Sequence, residues 1–314
     1  MLLRVLVRAG VLLASLAVSS VVVFGFLAAL PGDPARVALG VNATEESVAT
    51  LRTEFGLDRP LRTQYVDWVG GMLTGDPGRS YVSKAEIGPQ LADRMQVTLW
   101  LVAAATVIAV VIALPAGTLM AVRHGKLSGL VLAGLSQLGV AVPAFLAGIL
   151  LITLFAVRLR WLPSGGWTPP VEDPVMFLRQ LTLPALALGL VQGAVLTRYV
   201  RSAVIDVLRE DYLRTARAKG LTPERALWRH GLRNAMVPVV TVLGLQLATL
   251  LIGAVVVERV FVVPGMGKLL LDAVANRDLL LVQAVVMVLV VAVLVVNFVV
   301  DLLYTVLDPR LRHG

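Results

Sequence analysis

The chain has 314 residues, of which 58% are hydrophobic and only 15% are charged, and its mean hydropathy is +0.85. A single water-surrounded core cannot absorb so much apolar side chain, so the composition predicts a protein embedded in lipid. The sequence contains no cysteine, which excludes disulfides, thiolate metal sites, iron–sulfur clusters and a cysteine nucleophile. The net charge of +8 accompanies no base-reading motif or aromatic platform, so no nucleic acid is expected as a partner.

Six stretches are long and apolar enough to cross a bilayer, whose core of ~30 Å needs roughly 20 residues of helix. They run approximately over residues 9–30, 97–122, 130–157, 181–200, 236–257 and 279–306. Arg4 and Arg8 precede the first stretch, as in a signal peptide. Its apolar run of ~22 residues is longer than a signal peptide uses, so we expect a retained helix. The sequence therefore predicts an all-α membrane protein with six transmembrane helices.

The distribution of Lys and Arg predicts the orientation of these helices. With both termini in the cytoplasm, the inner segments carry 15 basic residues and the outer segments 13. Seven of those 13 lie in the long segment 31–95, which is translocated largely regardless of its charge. The remaining bias places both termini in the cytoplasm, in a multi-pass protein of the bacterial inner membrane.

Proline within the spans predicts contacts between them. In lipid, proline is tolerated where neighbouring helices or water satisfy the carbonyls that it frees, so the spans are expected to form a bundle or line a cavity. Gly189 and Gly193 form a G-x-x-x-G pair that is compatible with close helix contact. The prolines within the predicted spans are Pro115, Pro143, Pro184 and Pro238.

The segment 31–95 is predicted to form a small extracytoplasmic cap, called here the cap segment. Thr44 followed by Glu45 is typical of a helix start, and an apolar set recurs at helical spacing from Leu61 to Met72. We expect one or two short helices here. The domain organisation expected is a tail and first helix over 1–30, the cap segment over 31–95, and a five-helix core over 96–314 with a cytoplasmic coupling loop at about 201–235.

The sequence carries no motif for ATP hydrolysis or other catalysis. The phosphate-binding pattern G-x-x-x-x-G-K-[ST] is absent, and its nearest approximations, Gly125-Lys126 and Gly267-Lys268, are both followed by leucine. No zinc-protease or serine-hydrolase motif is present, so we expect no catalytic or metal site in this chain. Asp301 is the only clear acid within a span, which gives little support to a proton-coupled transporter.

The connection from Arg198 to Pro238 is far longer than two adjacent spans need, which indicates a function. Apolar residues every four positions, from Val204 to Ala216, predict that the fourth span continues as an amphipathic helix and stops at Gly220. Thr222-Pro223-Glu224 predicts the start of a second helix, ending at about Asn234. Such a helix pair suits either a groove on a partner or the lipid headgroups, and its arginines and Trp228 leave both open.

In this connection the chain resembles the permease subunits of ATP-binding-cassette (ABC) importers, and in particular the first permease subunit of the dipeptide, oligopeptide and nickel branch. The resemblance rests on Asp211-Tyr212, Ala216 to Gly220, His230 to Asn234, and Pro238. The Glu-Ala-Ala opening of the broader importer signature is missing here, and the chain is instead similar to the branch variant around Tyr212 and Ala216.

Seven further motifs carry the resemblance along most of the chain. They match that branch in order and spacing, which single short motifs would not establish. They are Pro31 to Pro34, Gly56 to Asp58 with Pro60, Gly75-Asp76 with Gly78 to Ser80, Glu258 with Phe261, Pro264 to Gly267, Arg277-Asp278, and Asp301 to Tyr304 with Asp308 to Arg310.

The resemblance implies a type I importer permease that forms half of a solute path and has no ATPase site of its own. It implies a second homologous permease subunit in a heterodimer, two ATPase subunits that bind ATP and magnesium, an extracytoplasmic substrate-binding protein, and surrounding membrane lipid. Dipeptides or oligopeptides are the expected cargo, with nickel chelates or glutathione as alternatives within the family and an ion-driven secondary transporter as the rival class. The implied ATPase-coupling residues are Asp211, Tyr212, Ala216, Arg217, Ala218, Lys219, Gly220, Thr222, Pro223, Glu224 and Arg233.

Polar side chains inside the spans are candidates for the solute path, because an amide facing lipid is costly. Hydrogen bonding between helices without contact to a solute is the alternative role for them. The cap segment and the loop from Trp161 to Trp167 are candidate surfaces for the binding protein, on position alone. The candidate path residues are Gln137, Gln192, Gln246 and Asn297.

Overall fold

A computed structural model describes residues 2–29, 32–40 and 43–307, except the side chains of residues 2–4, 223 and 303–307. Over these ranges the fold is helical, with one isolated β-bridge between Arg79 and Glu86. The α-helices are α1 (Leu2–Ala28), α2 (Pro34–Leu39), α3 (Glu45–Glu54), α4 (Leu61–Thr74), α5 (Ile87–Val122), α6 (Leu127–Ala141), α7 (Ala144–Leu151), α8 (Pro174–Leu208), α9 (Asp211–Ala218), α10 (Pro223–Ala226), α11 (Leu232–Val260), α12 (Met266–Ala275) and α13 (Leu279–Leu307). Two π-helical segments follow α7 and α10, over Ile152–Arg158 and Leu227–Gly231.

Five of the predicted spans are single helices in the structure. Among the described residues, α1, α5, α8, α13 and the helical run that ends with α11 are each long and apolar enough to cross a membrane. Their bounds are wider than predicted, because α5 begins ten residues before position 97 and α8 extends on both sides of 181–200. Pro115, Pro184 and Pro238 lie inside continuous helices.

The prediction of one straight helix over 130–157 is wrong. α6 and the helical stretch from Ala144 to Arg158 are bent relative to each other by 100°. The break lies at Val142, which is extended (φ −86°, ψ 119°), and at Pro143, which has φ −61° and ψ 144°. A residue before proline is disfavoured in the α conformation, and proline supplies no backbone donor, so the helix ends there and restarts.

The chain divides into two compact units: a first unit of residues 99–263 with the part from 296 onward, and a second unit of residues 2–98 with 264–295. In the first unit α8 packs against α5, α6, α7 and α11 through small residues. A side chain at Gly139 would lie 2.8 Å from the Cβ of Ala194, and one at Gly189 would lie 2.7 Å from Ile108. The Ser136 hydroxyl on α6 donates to the Ala194 carbonyl at 2.9 Å. Small residues therefore set the helix spacing here, as the G-x-x-x-G pair predicted.

The second unit joins the cap segment to α12 and the first half of α13. Thr44 and Ser47 cap α3 reciprocally, which confirms the predicted helix start, and the cap segment holds three helices rather than one or two. Asp278 is buried just before α13, where it accepts hydrogen bonds from the Ser80 hydroxyl and from the Tyr81 amide at 3.2 Å. These bonds fasten the loop before α5 to the start of α13.

One hydrophobic cluster in the second unit joins three distant parts of the chain. Leu27 near the end of α1, Ile87 at the start of α5 and Leu281 at the start of α13 pack in this cluster. By length and composition, the described residues supply five single helices that could cross a membrane, or six spans if the bent pair counts as one.

Candidate coupling site and solute path

The connection between α8 and α11, residues 209–231, is called here the hook. The predicted continuous helix through residue 216 is wrong, because α8 ends at Leu208 and α9 begins at Asp211. The last amides turn back tightly: Arg209 donates to Asp206 at 3.1 Å, and Glu210 donates to Val207 at 3.1 Å. Such three-residue bonds close a helix end, so α9 is a separate short helix.

The predicted stop at Gly220 is confirmed by its backbone. Gly220 has φ +90°, and its amide donates to the Arg217 carbonyl at 2.9 Å. A residue with a side chain is strained in this conformation, which is why glycine ends the helix here. The Thr222 hydroxyl then accepts from the Arg225 amide at 3.3 Å and caps α10, as predicted.

The second helix of the hook does not end at about Asn234. α10, the π-helical segment and α11 follow each other without a gap, and residues 224–260 form one helical run of 37 residues. The π-helical turn inserts extra residues into the helix without ending it, a feature often found at functional sites. This half of the hook is therefore continuous with a membrane span.

Buried leucines hold the hook against the first unit. Leu213 on α9 and Leu227 on the π-helical segment are each only 1% exposed. A Cβ atom at position 231 would lie about 3 Å from the side chains of Leu227, Val207 and Leu213. Because Gly231 has no side chain, these three residues can pack together around it. The Asn234 amide donates to the Tyr212 hydroxyl at 3.0 Å, which adds a polar link between α9 and α11.

The predicted coupling residues lie mostly on the outer surface of the hook. Ala216 is half-buried, and the side chain of Pro223 is outside the described part of the chain. Arg214, which sequence reasoning did not select, pairs with Asp211 at 3.2 Å on the same exposed surface. The arrangement suits contact with another macromolecule, because the apolar side chains face inward and the charges face outward. The exposed predicted residues are Asp211, Tyr212, Arg217, Ala218, Lys219, Gly220, Thr222, Glu224 and Arg233.

The four predicted path residues differ in burial. Gln192 on α8 and Gln246 on α11 are 7% and 8% exposed, and these two helices pack together more extensively than any other pair in the first unit. Both amide atoms of Gln246 are buried and have no hydrogen-bond partner within the described residues. Gln137 on α6 is exposed, and Asn297 on α13 is half-buried.

Sequence reasoning missed the residues that anchor the hook. The predicted stripe of every fourth residue from Val204 to Ala216 includes Tyr212 and omits Leu213, whereas the structure buries Leu213 and leaves Tyr212 exposed. The break after α8 shifts the helical phase, so the four-residue spacing did not reveal the true inner face. In the second unit Gln283, a polar residue early in the sixth span, was also overlooked.

No cluster of three or more metal-ligating side chains is found in the part of the chain that the structure describes.

Comparisons with known proteins agree with this architecture. Residues 113–313 match the family described as the binding-protein-dependent transport system inner membrane component, and residues 1–103 match the N-terminal region of such membrane components. The glutathione transport system permease protein GsiC of Escherichia coli strain K12 is 40% identical over 305 residues, covering 96% of each chain. The protein of the same name from Salmonella typhi is 40% identical over 316 residues, covering all of both chains.

Solved structures show the fold at lower identity. A subunit of the MetNI methionine ABC transporter in an inward-facing conformation is 19% identical, covers 70% of this chain and 96% of its own, and has a TM-score of 0.56. A chain of an amino acid ABC transporter with histidines is 16% identical, covers 69% of this chain and 93% of its own, and has a TM-score of 0.54. The chain therefore belongs to the binding-protein-dependent inner membrane components, as a type I ABC importer permease of the dipeptide, oligopeptide and nickel family.

Proposed function

We propose that this permease forms half of the path of a short-peptide importer and that its hook transmits the movement of cytoplasmic ATPases to the membrane spans. Closure of an ATP-bound ATPase pair would pull the hook, move α8 and α11, and open the path to the outer side. ATP hydrolysis would reset it. The chain forms a movable wall of the solute path. The free energy of ATP binding and hydrolysis acts through the different affinities of the ATPases for the two conformations of the permease.

The observation that carries this proposal is the continuity of the hook with the spans. Force on the exposed surface of α9 reaches α8 and α11 through Leu213 and Leu227, which are buried at its base. The helical run of residues 224–260 leads directly into the membrane. A hook lying passively on lipid headgroups would need an apolar face directed outward, and only Tyr212 and Trp228 are exposed there as large apolar side chains.

The orientation follows from charge. Nine basic residues lie between Arg198 and Arg233, which places the hook in the cytoplasm by the positive-inside rule. With the bent pair as one of six crossings, both termini would lie on the same side as the hook. The partners proposed are a second permease subunit in a heterodimer, two ATPases that bind ATP and magnesium, and an extracytoplasmic binding protein that delivers the cargo to the cap segment or to the loop 161–167.

Short peptides are the proposed cargo, and glutathione is the specific second candidate. Two relatives at 40% identity are named as glutathione permeases, and glutathione is itself a tripeptide. The choice is tested by uptake in a reconstituted system with labelled glutathione and labelled trialanine in separate reactions. Uptake of both that requires ATP supports a short-peptide importer, and uptake driven by an ion gradient without ATP would refute the ABC coupling.

The hook is tested by variants that spare insertion. Gly220→Pro places proline, whose φ is about −65°, at a φ of +90° and removes the amide bonded to Arg217. We expect loss of ATP-driven uptake from this variant and from the charge reversal Arg217→Glu with Lys219→Glu. Charge reversal at Arg123 and Lys126, two basic residues in the connection between α5 and α6, is the matched control and should leave uptake unchanged.

Affinity purification from gently solubilised membranes supplies the second readout. The wild-type chain and the control should recover two ATPases and a second permease, whereas the hook variants should lose the ATPases and keep the second permease. Recovery of the ATPases by the Gly220→Pro chain with full uptake would show that the hook is not the coupling element.

A further inference from the structure

Two adjoining cavities lie within the second unit, between the end of α1, the cap segment and the start of α13. Their volumes are about 270 Å³ and about 250 Å³. Five residues line both cavities, and the two cavities together are called the cap cleft. The shared residues are Phe24, Gln64, Tyr81, Leu280 and Gln283.

Gln283 is a polar side chain in the largely apolar first turns of α13, on the wall of the cap cleft. It is 8% exposed, and its carboxamide has no hydrogen-bond partner among the described residues. A polar group that the protein leaves without a partner takes its hydrogen bonds from water or from a ligand. Because Gln283 lines both cavities, a molecule in the cleft can reach the amide that the protein leaves unpaired.

Two further neutral groups border the same space. The Gln64 amide nitrogen donates to the carbonyls of Leu57 at 3.2 Å and Arg59 at 2.8 Å, which leaves its amide oxygen as a free acceptor. The Tyr81 ring stacks on Phe55 with 4.2 Å between centroids, and its hydroxyl has no partner in the described chain. Burial, and then the Asp278 carboxylate, raise the pKa of Tyr81, so its hydroxyl stays protonated and can donate.

Four of the five charged side chains that line the cleft are already paired with other charged groups; the fifth, Asp76, is exposed and accepts from the Gly78 amide at 3.2 Å. Arg52 donates to Asp33 at 2.9 Å and to Asp58 at 3.2 Å. Arg59 donates to Asp67 at 2.6 Å and to the Gly56 carbonyl at 3.3 Å. Apart from the single carboxylate of Asp76, the groups left for a ligand are neutral donors and acceptors, which suit an amide better than a phosphate or a metal ion.

We propose that the cap cleft binds a short peptide, with the Gln283 carboxamide hydrogen-bonded to a peptide group of the ligand. A carboxamide presents one acceptor and two donors, which matches the carbonyl and N–H of a peptide group, and Gln64 and Tyr81 supply the adjacent contacts. Side chains of the peptide would lie against the apolar wall. That wall is formed by Phe24, Leu27, Leu57, Leu61, Leu279 and Leu280.

The inference rests on the proposed short-peptide cargo and adds a site to it. The cap segment is predicted on the outer side, so the cleft would hold cargo between its release from the binding protein and its entry into the path. An acyl chain would leave the Gln283 amide unpaired, so lipid tails explain the cleft less well.

Equilibrium binding to the full chain in nanodiscs tests the site, with no ATPase and no ATP present. Labelled trialanine is the probe, and free alanine, a zwitterion without a peptide bond, is the competitor. Gln283→Met keeps the length of the side chain and removes its amide, and we expect trialanine affinity to fall at least tenfold. The temperature of unfolding should stay equal or rise, because the lost amide had no protein partner.

Two other variants complete the test. Tyr81→Phe removes one hydroxyl and keeps the ring on Phe55, so we expect severalfold weaker binding in a folded chain. Gln90→Met, whose wild-type amide donates to the Glu86 carbonyl at 2.8 Å outside the cleft, should bind as the wild type does.

Unchanged affinity in both Gln283→Met and Tyr81→Phe would overturn the proposal. Equal competition by alanine and by unlabelled trialanine would do so as well, since the peptide group would then be irrelevant. Displacement of trialanine by added phosphatidylethanolamine would assign the cleft to lipid and overturn the proposal as well. The binding assay contains no ATPase, so its outcome is independent of the hook experiments. If the cleft does not bind peptide, the copurification result remains valid. If the ATPases do not copurify, the peptide-binding result remains valid.

Discussion

Leu213→Ala is the sharpest test of how the hook is held in place. Leu213 is the one buried residue of α9, a helix of eight residues that is too short to persist by itself in water. Its side chain is 1% exposed and lies beside Gly231 and Leu227. Leu→Ala at buried sites costs about 2.7–5 kcal/mol, and we expect the lower end because surface neighbours can partly close the gap. The free energy that docks α9 should therefore fall by about 2.7 kcal/mol.

Hydrogen exchange of residues 211–218 measures this loss directly. A change of about 2.7 kcal/mol corresponds to about 100-fold faster exchange when α9 opens locally. The measurement uses the chain in nanodiscs, with residues 181–200 of α8 as the internal reference, where protection should not change. Thr215→Ala, an exposed substitution in the same helix, is the matched control and should leave α9 exchange unchanged. Equal exchange in the Leu213→Ala and wild-type chains would refute the view that this contact docks α9.

Two further predictions concern a loop glycine and a buried phenol. Gly165→Ala would drive a methyl group into the backbone oxygen of Phe261, so we expect loss of folded protein on size-exclusion chromatography, whereas Gly134→Ala, with no neighbouring atom within 4 Å, should be neutral or stabilising. Tyr81 has a raised pKa, so its stabilising contribution is complete below pH ~10 and is lost as the pH rises through its folded value. The difference in tyrosinate absorbance between the wild-type chain and the Tyr81→Phe variant reports the ionisation of Tyr81. We expect this ionisation above pH ~10, and a transition below that pH would contradict the argument that burial raises the pKa.

Local sequence signals were sufficient where one short segment decides the structure. Thr44 and Ser47 satisfy each other's backbone amides, so the start of α3 needs no distant partner. Gly220 takes a φ of +90° that other residues adopt only with strain, and Thr222 caps the next helix. Apolar length likewise located five spans, because a bilayer core imposes the same requirement on each of them.

The third span shows where a local signal is ambiguous. Pro143 could lie inside a continuous helix, as proline does within α5, α8 and α11, or end the helix, as it does here. The choice depends on whether neighbours satisfy the freed carbonyl groups, which hydropathy does not report. Likewise, the four-residue stripe from Val204 to Ala216 suggested one helix, but the turn at Arg209 rotates α9 so that Leu213 faces inward.

By itself the sequence determined that this protein is embedded in lipid, has five or six apolar segments of membrane-spanning length and carries a helical hook of the importer-permease type, because composition, apolar length and capping chemistry act over neighbouring residues. Only the tertiary structure decided that the third apolar segment is bent by 100°, that Leu213 and Leu227 anchor the hook, and that Gln283 lines a cleft beside Tyr81. These features join residues as distant as Tyr81 and Gln283, whose meeting depends on how helices pack. Packing of that kind depends on the shapes of surfaces from separate segments, and no single stretch of sequence contains it.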